Sequence, residues 1–304
     1  TSPNKHSITS RYLCTLLKNI TITMELKHGY YHLIAILTVS IWGLTFIATK
    51  VLIGYGLTPQ EIFFYRFLIA YAGIWIISPK RLFANRWKDE FWLMAGGIFG
   101  GSLYFFTENT ALGITQASNV SFLICTAPLL TTILSLLFYK SEKATKGLIG
   151  GSLLALAGVG LVVFNGSVIL KISPVGDLLT LLAALSWAFY SLIIRKMTGR
   201  YPTVFITRKI FFYGVLTILP AFLLHPLQPD LDILLQPIVL SNLLFLAVLA
   251  SLICYVLWNV VLKQLGTVRA SNYIYLNPLV TMVASMMILQ EQLMLNQVVI
   301  VKVI

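Results

Sequence analysis

Long, uninterrupted apolar runs are the feature that most constrains how this chain can fold. Nine runs approach the length needed to cross a bilayer, and a tenth begins near residue 297. A spanning helix needs roughly 20 mostly apolar residues, because backbone groups in lipid must bond within their own segment. The runs lack the two-residue alternation of barrel strands, which favours helices. The predicted spans are 30–53, 60–78, 91–110, 116–139, 147–165, 177–194, 203–224, 239–262 and 270–289, with a tenth that we expect to be truncated at the C-terminus.

The composition excludes the common soluble classes. Of the 304 residues, 58% are hydrophobic and 11% are charged, whereas a soluble domain carries about 25% charged residues. A soluble fold of this size could not bury so much apolar surface, and disorder requires low hydrophobicity. The net charge of +12 is therefore interpreted as loop charge on a membrane protein, not as a nucleic-acid-binding surface.

Basic residues alternate regularly between the predicted loops. If the N-terminus is cytoplasmic, nearly all loop Lys and Arg fall on the inner side, and the outer loops carry Lys171 alone. This is the pattern of the positive-inside rule, and adding or removing one helix would destroy it. The sequence therefore predicts a multi-pass plasma-membrane protein with both termini cytoplasmic and residues 1–27 as an N-terminal tail. The inner basic clusters lie at 5–27, 80–88, 140–146, 195–200 and 263–269.

The two halves of the chain resemble each other. The octapeptide at 112–119, Leu-Gly-Ile-Thr-Gln-Ala-Ser-Asn, matches that at 265–272, Leu-Gly-Thr-Val-Arg-Ala-Ser-Asn, at five of eight positions. The segment that follows each octapeptide also matches. The further corresponding residues are Pro128 with Pro278, Trp42 with Trp187, and Arg66 with Arg208.

Each half holds five predicted spans, an odd number, so the second half must enter the membrane inverted. The predicted fold is an all-α integral membrane protein, a ten-helix bundle made of a 5+5 inverted-topology repeat. The two repeats are predicted at 28–166 and 175–304. Inverted repeats are a common plan of secondary transporters, in which the solute site lies near the bilayer midplane.

Four short motifs carry a family resemblance over about residues 28–304. They are Trp42-Gly43, Glu61 to Arg66, Ala117-Ser118-Asn119 before Pro128, and Ala270-Ser271-Asn272 before Pro278 with Glu291. With two copies in register, the chain resembles the EamA-type members of the drug/metabolite transporter superfamily. The resemblance implies export or exchange of small metabolites, amino acids or drug-like compounds, in a bacterial inner membrane.

Ionisable residues within spans are candidates for function, because a charge at mid-bilayer costs about 2.5–3.5 kcal/mol on insertion scales. Arg66 and Glu108 are predicted to pair across an outer vestibule, either as part of the site or as a structural ion pair. Alternatively, Glu108 carries a coupling proton, since burial raises the pKa of a carboxyl group.

Other polar and kinked positions complete the predicted site. Asn119 and Asn272 are predicted to start helices 4 and 9, where each can cap the helix or face a cavity. Trp42 and Trp187 can line the cavity or pack. Pro128 and Pro278 can release backbone carbonyls at the site or form packing kinks. The remaining cavity candidates are Tyr255, Asn259 and Asn277.

Motifs for other functions are missing from the sequence. There is no Gly-Lys-Ser/Thr phosphate loop, no His-Glu-x-x-His and no Gly-x-Ser-x-Gly. We therefore expect no enzymatic activity, no cofactor, no metal and no nucleic-acid partner. The leading hypothesis is a secondary carrier of a small-molecule solute, and the alternative is a non-transporting scaffold or sensor. Glycines at 96, 97, 100 and 101 are predicted to pack inside the bundle or at a homodimer interface.

Overall fold

The computed structural model describes residues 5–77, 82–139, 147, 150–151, 154, 173–224 and 226–289, with side chains from residue 29 onward and without that of Leu224. All regular structure in these ranges is helical. Six helical stretches there are long and apolar enough to cross a membrane by length and composition. The predicted spans at 147–165 and after 297 lie largely or wholly outside the described residues, so the count of ten stays a prediction.

The first two helices are joined by a turn whose chemistry is visible in the sequence. α1 is Lys5–Gly54 and extends N-terminally beyond the predicted span, and α2 is Pro59–Ile77. The Thr58 hydroxyl and N–H donate to the Glu61 carboxylate at 2.7 and 2.9 Å, and the Glu61 N–H donates back to that hydroxyl. This capping box fixes where α2 begins, and therefore how deep Arg66 lies: seven residues, roughly 10 Å, along the helix.

The third span is continuous but changes its winding. α3 (Trp87–Gly97) passes through a π-helical turn (Ile98–Ser102) into α4 (Leu103–Ile114). The fourth span is broken instead, into α5 (Ala117–Ile124) and α6 (Ala127–Phe138).

The second half has long spans in a similar order, and its last described span is also broken, before Pro278. Its elements are α7 (Pro174–Thr198), α8 (Thr203–Ile218), α9 (Ala221–Leu224), α10 (Leu231–Leu234), α11 (Pro237–Leu244), a π-helix (Phe245–Ile253), α12 (Cys254–Leu265), α13 (Thr267–Ser271), a 3₁₀ turn (Asn272–Leu276), α14 (Asn277–Ala284) and a π-helical end (Ser285–Leu289).

The described helices of the two halves pack against each other. α4 and α6 pack on α7, α2 and α3 pack on α8, α1 packs on α12 and α14, and α5 packs on α14. The main hydrophobic core therefore lies between the halves, and its aromatic centre includes Phe67, Trp187, Tyr190, Tyr255 and Trp258.

Glycines of the third span make this packing possible. A Cβ on Gly97 would lie 2.9 Å from the backbone nitrogen of Gly214 on α8, and one on Gly100 would overlap the ring of Tyr190 on α7. The glycine face is thus covered within one chain, as predicted. The alternative that these glycines form a homodimer interface is wrong, because α7 and α8 occupy that face.

We expect Gly97→Ala to destabilise the protein by about 1–3 kcal/mol, since the added methyl group meets backbone that cannot move aside. The measurement is the melting temperature of the purified protein in detergent. Gly113→Ala is the matched control, because a Cβ there meets nothing within 4 Å, and it should not lower the melting temperature. Equal melting temperatures for the two variants would contradict the packing described here.

Candidate functional site

A cavity lined by buried residues lies in the middle of the bundle, between the two halves. Its volume is about 30 Å³, roughly the space of two water molecules. Trp42 lies midway along the candidate span Gly29–Gly54, and Trp187 lies midway along α7, so the cavity is near the centre of the spanning length. The lining residues are Trp42, Thr45, Phe46, Arg66, Tyr104, Phe105, Glu108, Ile124, Trp187, Tyr255, Ile274 and Asn277.

The two repeat-equivalent tryptophans both line this cavity. Their ring centroids are 5.2 Å apart at an interplanar angle of 88°, a favourable edge-to-face arrangement. The indole N–H of Trp42 donates to the Ala250 carbonyl at 3.0 Å. The indole N–H of Trp187 is buried and has no hydrogen-bond partner among the described residues. The pair is therefore symmetric in position but not in hydrogen bonding.

Arg66 and Glu108 also line the cavity, but the predicted ion pair between them is wrong. Arg66 Nε donates to Ser251 Oγ at 2.5 Å, and the guanidinium carbon lies 4.3 Å from the centroid of the Phe105 ring. Glu108 Oε1 accepts from the Tyr104 hydroxyl at 2.7 Å. The described contacts of both charges are with neutral groups. Arg66 contacts a serine and an aromatic ring, and Glu108 contacts a phenol one helical turn away. The described contacts include no ion pair between the two.

The two prolines leave two backbone carbonyls without their usual helical donors. Pro128 and Pro278 lie in the first turns of α6 and α14. A proline has no N–H, so the carbonyls of Ile124 and Ile274, four residues earlier, lose their helical donors. Both isoleucines line the cavity, whereas the prolines do not. The Ile274 carbonyl accepts instead from the Cys125 thiol at 3.5 Å and from the backbone N–H of Asn277, which follows the 3₁₀ turn.

Two further predicted residues reach the cavity from the second half. The Tyr255 hydroxyl donates to the Gly100 carbonyl at 2.6 Å, in the π-helical turn of the third span. Asn277 is 4% exposed, and its Oδ1 has no hydrogen-bond partner in the described part of the chain. With the two tryptophans and the two charged residues, six predicted site residues meet in one place.

Asn119 does not cap a helix, contrary to one of its two predicted roles. α5 begins at Ala117 after Gln116, so Asn119 already lies within the first turn. Its side-chain amide donates to Asp177 Oδ1 at 2.7 Å and to Thr115 Oγ1 at 3.2 Å. Asn119 therefore connects the first half to the start of α7, away from the cavity.

Asn272 does not start an α-helix and does not line the central cavity. Gly266 adopts a φ of +83° and ends α12, and α13 (Thr267–Ser271) begins immediately after it. The helix thus starts five residues before Asn272, which is exposed on the surface. The prediction erred because the positive φ that a glycine permits moved the helix boundary.

Asn259 is buried outside the cavity. Its Oδ1 accepts from the Tyr190 hydroxyl at 2.8 Å, and its Nδ2 donates to Thr207 Oγ1 at 2.9 Å. These bonds join α7, α8 and α12, and they satisfy the amide within the protein.

One set of charged residues was not predicted as a site. The Glu90 carboxylate forms an ion pair with Lys209, accepts from the Tyr213 hydroxyl at 2.6 Å, and accepts from the Ala84 N–H at 2.9 Å. Its side chain and that of Lys209 are only 8% and 5% exposed. A buried ion pair needs such additional hydrogen bonds to offset its desolvation.

The neighbouring carboxylate of Asp89 extends this network to the loop between α7 and α8. It forms an ion pair with Arg200 at 2.6 Å and accepts from the Tyr201 hydroxyl at 2.9 Å. Burial raises the pKa of the Tyr201 phenol, and the hydrogen bond to Asp89 raises it further, so the phenol stays a donor. We call these residues the ionic cluster: Asp89, Glu90, Arg200, Tyr201, Lys209 and Tyr213.

Two unusual positions of charged residues in the sequence could have indicated the ionic cluster. Asp89 and Glu90 directly precede the predicted third span, and Lys209 lies within the predicted seventh. In the cluster the carboxylates are paired with cations. The described residues include no group of three or more His, Cys, Asp or Glu side chains placed to hold a metal ion.

The other end of the bundle is closed mainly by apolar packing. A second hydrophobic cluster lies there, where the end of α1 meets the starts of α2 and α11. Polar contacts lie beside it, among them that of Lys50 Nζ, which donates to the Thr115 carbonyl at 2.6 Å. We call these residues the apolar cluster: Ala48, Leu52, Leu57, Ile62, Val239, Leu243 and Leu246.

Comparison with known proteins gives one consistent family. A probable amino-acid metabolite efflux pump of Salmonella typhimurium is 27% identical over 89% of this chain and 89% of its own. An uncharacterized transporter of Archaeoglobus fulgidus is 29% identical over 86% of this chain and 90% of its own. A solved crystal structure with 18% identity covers 90% of this chain and 92% of its own with a TM-score of 0.63, which shows the shared fold alone.

The family model described as the EamA-like transporter family matches the chain twice, at residues 29–164 and 174–304. Together these ranges cover most of the chain, and several of its helices are long and apolar enough to cross a membrane. The protein therefore belongs to the EamA-like transporter family and is a multi-pass membrane protein of all-helical fold.

Proposed function

We propose that this protein is a secondary carrier that exports small metabolites, amino-acid-like or drug-like, across the plasma membrane by alternating access. The observation that carries the proposal is the cavity in the middle of the bundle. Every residue that lines it is buried, these residues include a cation and a carboxylate, and both halves of the chain contribute to its wall.

The symmetry of the cavity supports two inverted halves as the moving parts. Trp42 and Trp187 occupy equivalent positions in the two halves, as do Ile124 and Ile274 before their prolines. The twofold match of the family model supports the same division. Halves related in this way can exchange conformations, and each exchange moves the access route to the other side of the membrane.

The two ends of the bundle supply the gates of such a carrier. The ionic cluster closes the end at which the basic segments 82–88 and 195–200 lie, and the apolar cluster closes the other. By the positive-inside rule the ionic cluster faces the cytoplasm, which places the described start of α1 on that side as well. A cavity of about 30 Å³ is too small for a metabolite, so we assign this conformation to an occluded state with both gates closed.

The names of two relatives support the substrate class. The relatives from Salmonella typhimurium and Escherichia coli are both named probable amino-acid metabolite efflux pumps. The aromatic wall of the cavity and its two charged side chains suit a small amphipathic solute of this kind.

Solute counterflow tests the proposed function. We expect liposomes that contain the protein and are preloaded with unlabelled amino acids and other metabolites to take up the labelled solutes faster than empty liposomes. Uptake of no solute at all would favour the alternative of a non-transporting scaffold or sensor.

A matched pair of tyrosine variants ties the uptake to the cavity. Tyr104→Phe removes the hydrogen bond to Glu108 inside the cavity, and counterflow should fall about tenfold, the scale of one hydrogen bond to a charged group. Tyr190→Phe removes an equally buried hydrogen bond, to Asn259 outside the cavity, and counterflow should stay within about twofold. Equal effects on uptake would contradict the assignment of the cavity as the solute site.

Neutralising the buried ion pair should open the ionic end. The probe is a cysteine placed at Thr207, which is buried on α8, and the reagent is a water-soluble maleimide. We expect the double variant Glu90→Gln/Lys209→Met to increase the reaction rate of this cysteine by about tenfold or more. The reason is that a loss of about 1.4 kcal/mol from the stability of the closed state shifts the population tenfold toward the open state. The native cysteines are replaced beforehand, and the reaction rate is followed by mass spectrometry.

A cysteine at Thr49, buried on α1 near the apolar cluster, is the control for this experiment. In an alternating-access carrier its reactivity should stay the same or fall when the ionic end opens. A parallel rise at both positions would indicate general loosening of the bundle and would argue against gating by the ionic cluster.

A further inference from the structure

We propose that Arg66 binds the carboxylate of the transported solute in a bidentate manner and that Glu108 receives its ammonium group, so that the carrier selects zwitterions. This inference rests on the proposed function, since it takes the central cavity as the solute site. It goes further by assigning the two charged residues opposite roles and by making the carboxylate a requirement for transport.

Arg66 is a buried cation whose hydrogen-bonding capacity is largely unused. The residue is 2% exposed, Nε donates to Ser251, and the guanidinium lies over the Phe105 ring. Among the described contacts, no carboxylate lies within ion-pair distance of it, and its two terminal amino groups have no protein partner. A planar fork of unpaired N–H donors in a low-dielectric cavity is the geometry that binds a carboxylate with two parallel hydrogen bonds.

The other buried basic residues of this region are occupied differently. Lys209 is neutralised by Glu90 in the ionic cluster. Arg208, the repeat equivalent of Arg66, has its guanidinium carbon 4.8 Å from the Trp75 ring centroid and 5.4 Å from that of Phe205, and it does not line the cavity. A cation kept inside a membrane protein at this cost is expected to serve a solute or a proton pathway, and Arg66 is the one placed at the solute cavity.

The cavity also offers the acceptors that an ammonium group needs. Glu108 is 4% exposed, and only its Oε1 has a described hydrogen-bond donor, the Tyr104 hydroxyl. The Oδ1 of Asn277 has no described partner at all. Both residues line the same cavity as Arg66. A bound ammonium group would satisfy the free carboxylate oxygen and compensate its charge.

The unpaired indole N–H of Trp187 adds a second donor beside the guanidinium. The cavity therefore holds donors without a described partner, the terminal amino groups of Arg66 and the Trp187 indole N–H. It also holds acceptors without one, Glu108 Oε2 and Asn277 Oδ1. Buried polar groups are normally satisfied, so this set calls for a ligand with both an anionic acceptor and a cationic donor. A zwitterion is that complement, whereas a purely cationic or purely anionic solute would leave one charge uncompensated.

The experiment compares solutes that differ by one charged group. Proteoliposomes take up a labelled mixture of neutral L-amino acids in counterflow, in competition with the same amino acids as carboxamides, which lack the anion, or as N-acetyl derivatives, which lack the cation. For the wild-type protein, we expect each derivative to compete at least tenfold less well than the unlabelled amino acids.

Substitutions at Arg66 then test whether this residue causes the preference for amino acids over carboxamides. In Arg66→Gln the preference for amino acids over carboxamides should fall from at least tenfold to about twofold or less, while the preference over N-acetyl derivatives remains. Arg66→Lys keeps the charge but loses the fork, and should give an intermediate preference. Arg208→Gln is the matched control, since it removes an equally buried arginine outside the cavity, and its preference should equal that of the wild type.

Several results would overturn the inference. One is a wild-type protein on which carboxamides compete as well as amino acids. Another is an Arg66→Gln or Arg66→Lys variant with undiminished discrimination; the lysine variant decides the question if the glutamine variant does not fold. Uptake of other solutes but of no amino acid would contradict the zwitterion class and leave the carrier function intact, whereas uptake of no solute counts against the carrier function itself.

Discussion

The cost of an unsatisfied polar group in lipid is the constraint on which the rest of this structure depends. It forces every described span to be helical, and it forces each buried charge to be compensated by something inside the protein or by a ligand. Glu90 and Lys209 compensate each other. Arg66 instead contacts a serine and an aromatic ring, and its terminal N–H donors have no described partner in the cavity. The inference about the solute therefore rests on this residue.

Interruptions of regular helix concentrate around the same cavity. The third span winds through a π-helical turn that supplies the Gly100 carbonyl to Tyr255. The spans broken before Pro128 and Pro278 bring Ile124 and Ile274 to the cavity wall. Helical hydrogen bonding is thus interrupted where the two halves meet, and the Gly100 and Ile274 carbonyls accept there from side chains of other helices.

The two closed ends use different chemistry. The ionic cluster holds one end with directional, charge-assisted bonds, and the apolar cluster holds the other with packing that has little directionality. Opening the first exposes charges to water, which solvates them, whereas opening the second exposes apolar surface, which water penalises. In the proposed carrier the closing energies of these two ends would therefore respond differently to salt and to temperature, although the two halves that form them are related by sequence.

The sequence by itself determined the helical membrane fold, because long apolar runs leave a chain few alternatives in lipid, and it determined the close packing of the glycine face. It also identified six residues that meet in the cavity, since tryptophans, charges and other polar side chains within spans stand out. Only the tertiary structure decided their partners. Arg66 and Glu108 lie on different helices, and their described contacts are with a serine, a ring and a phenol, which sequence spacing does not reveal. The helix start near Asn272 moved because of one glycine φ angle, and the ionic cluster joins residues more than a hundred positions apart, a proximity that only the packing of two halves creates.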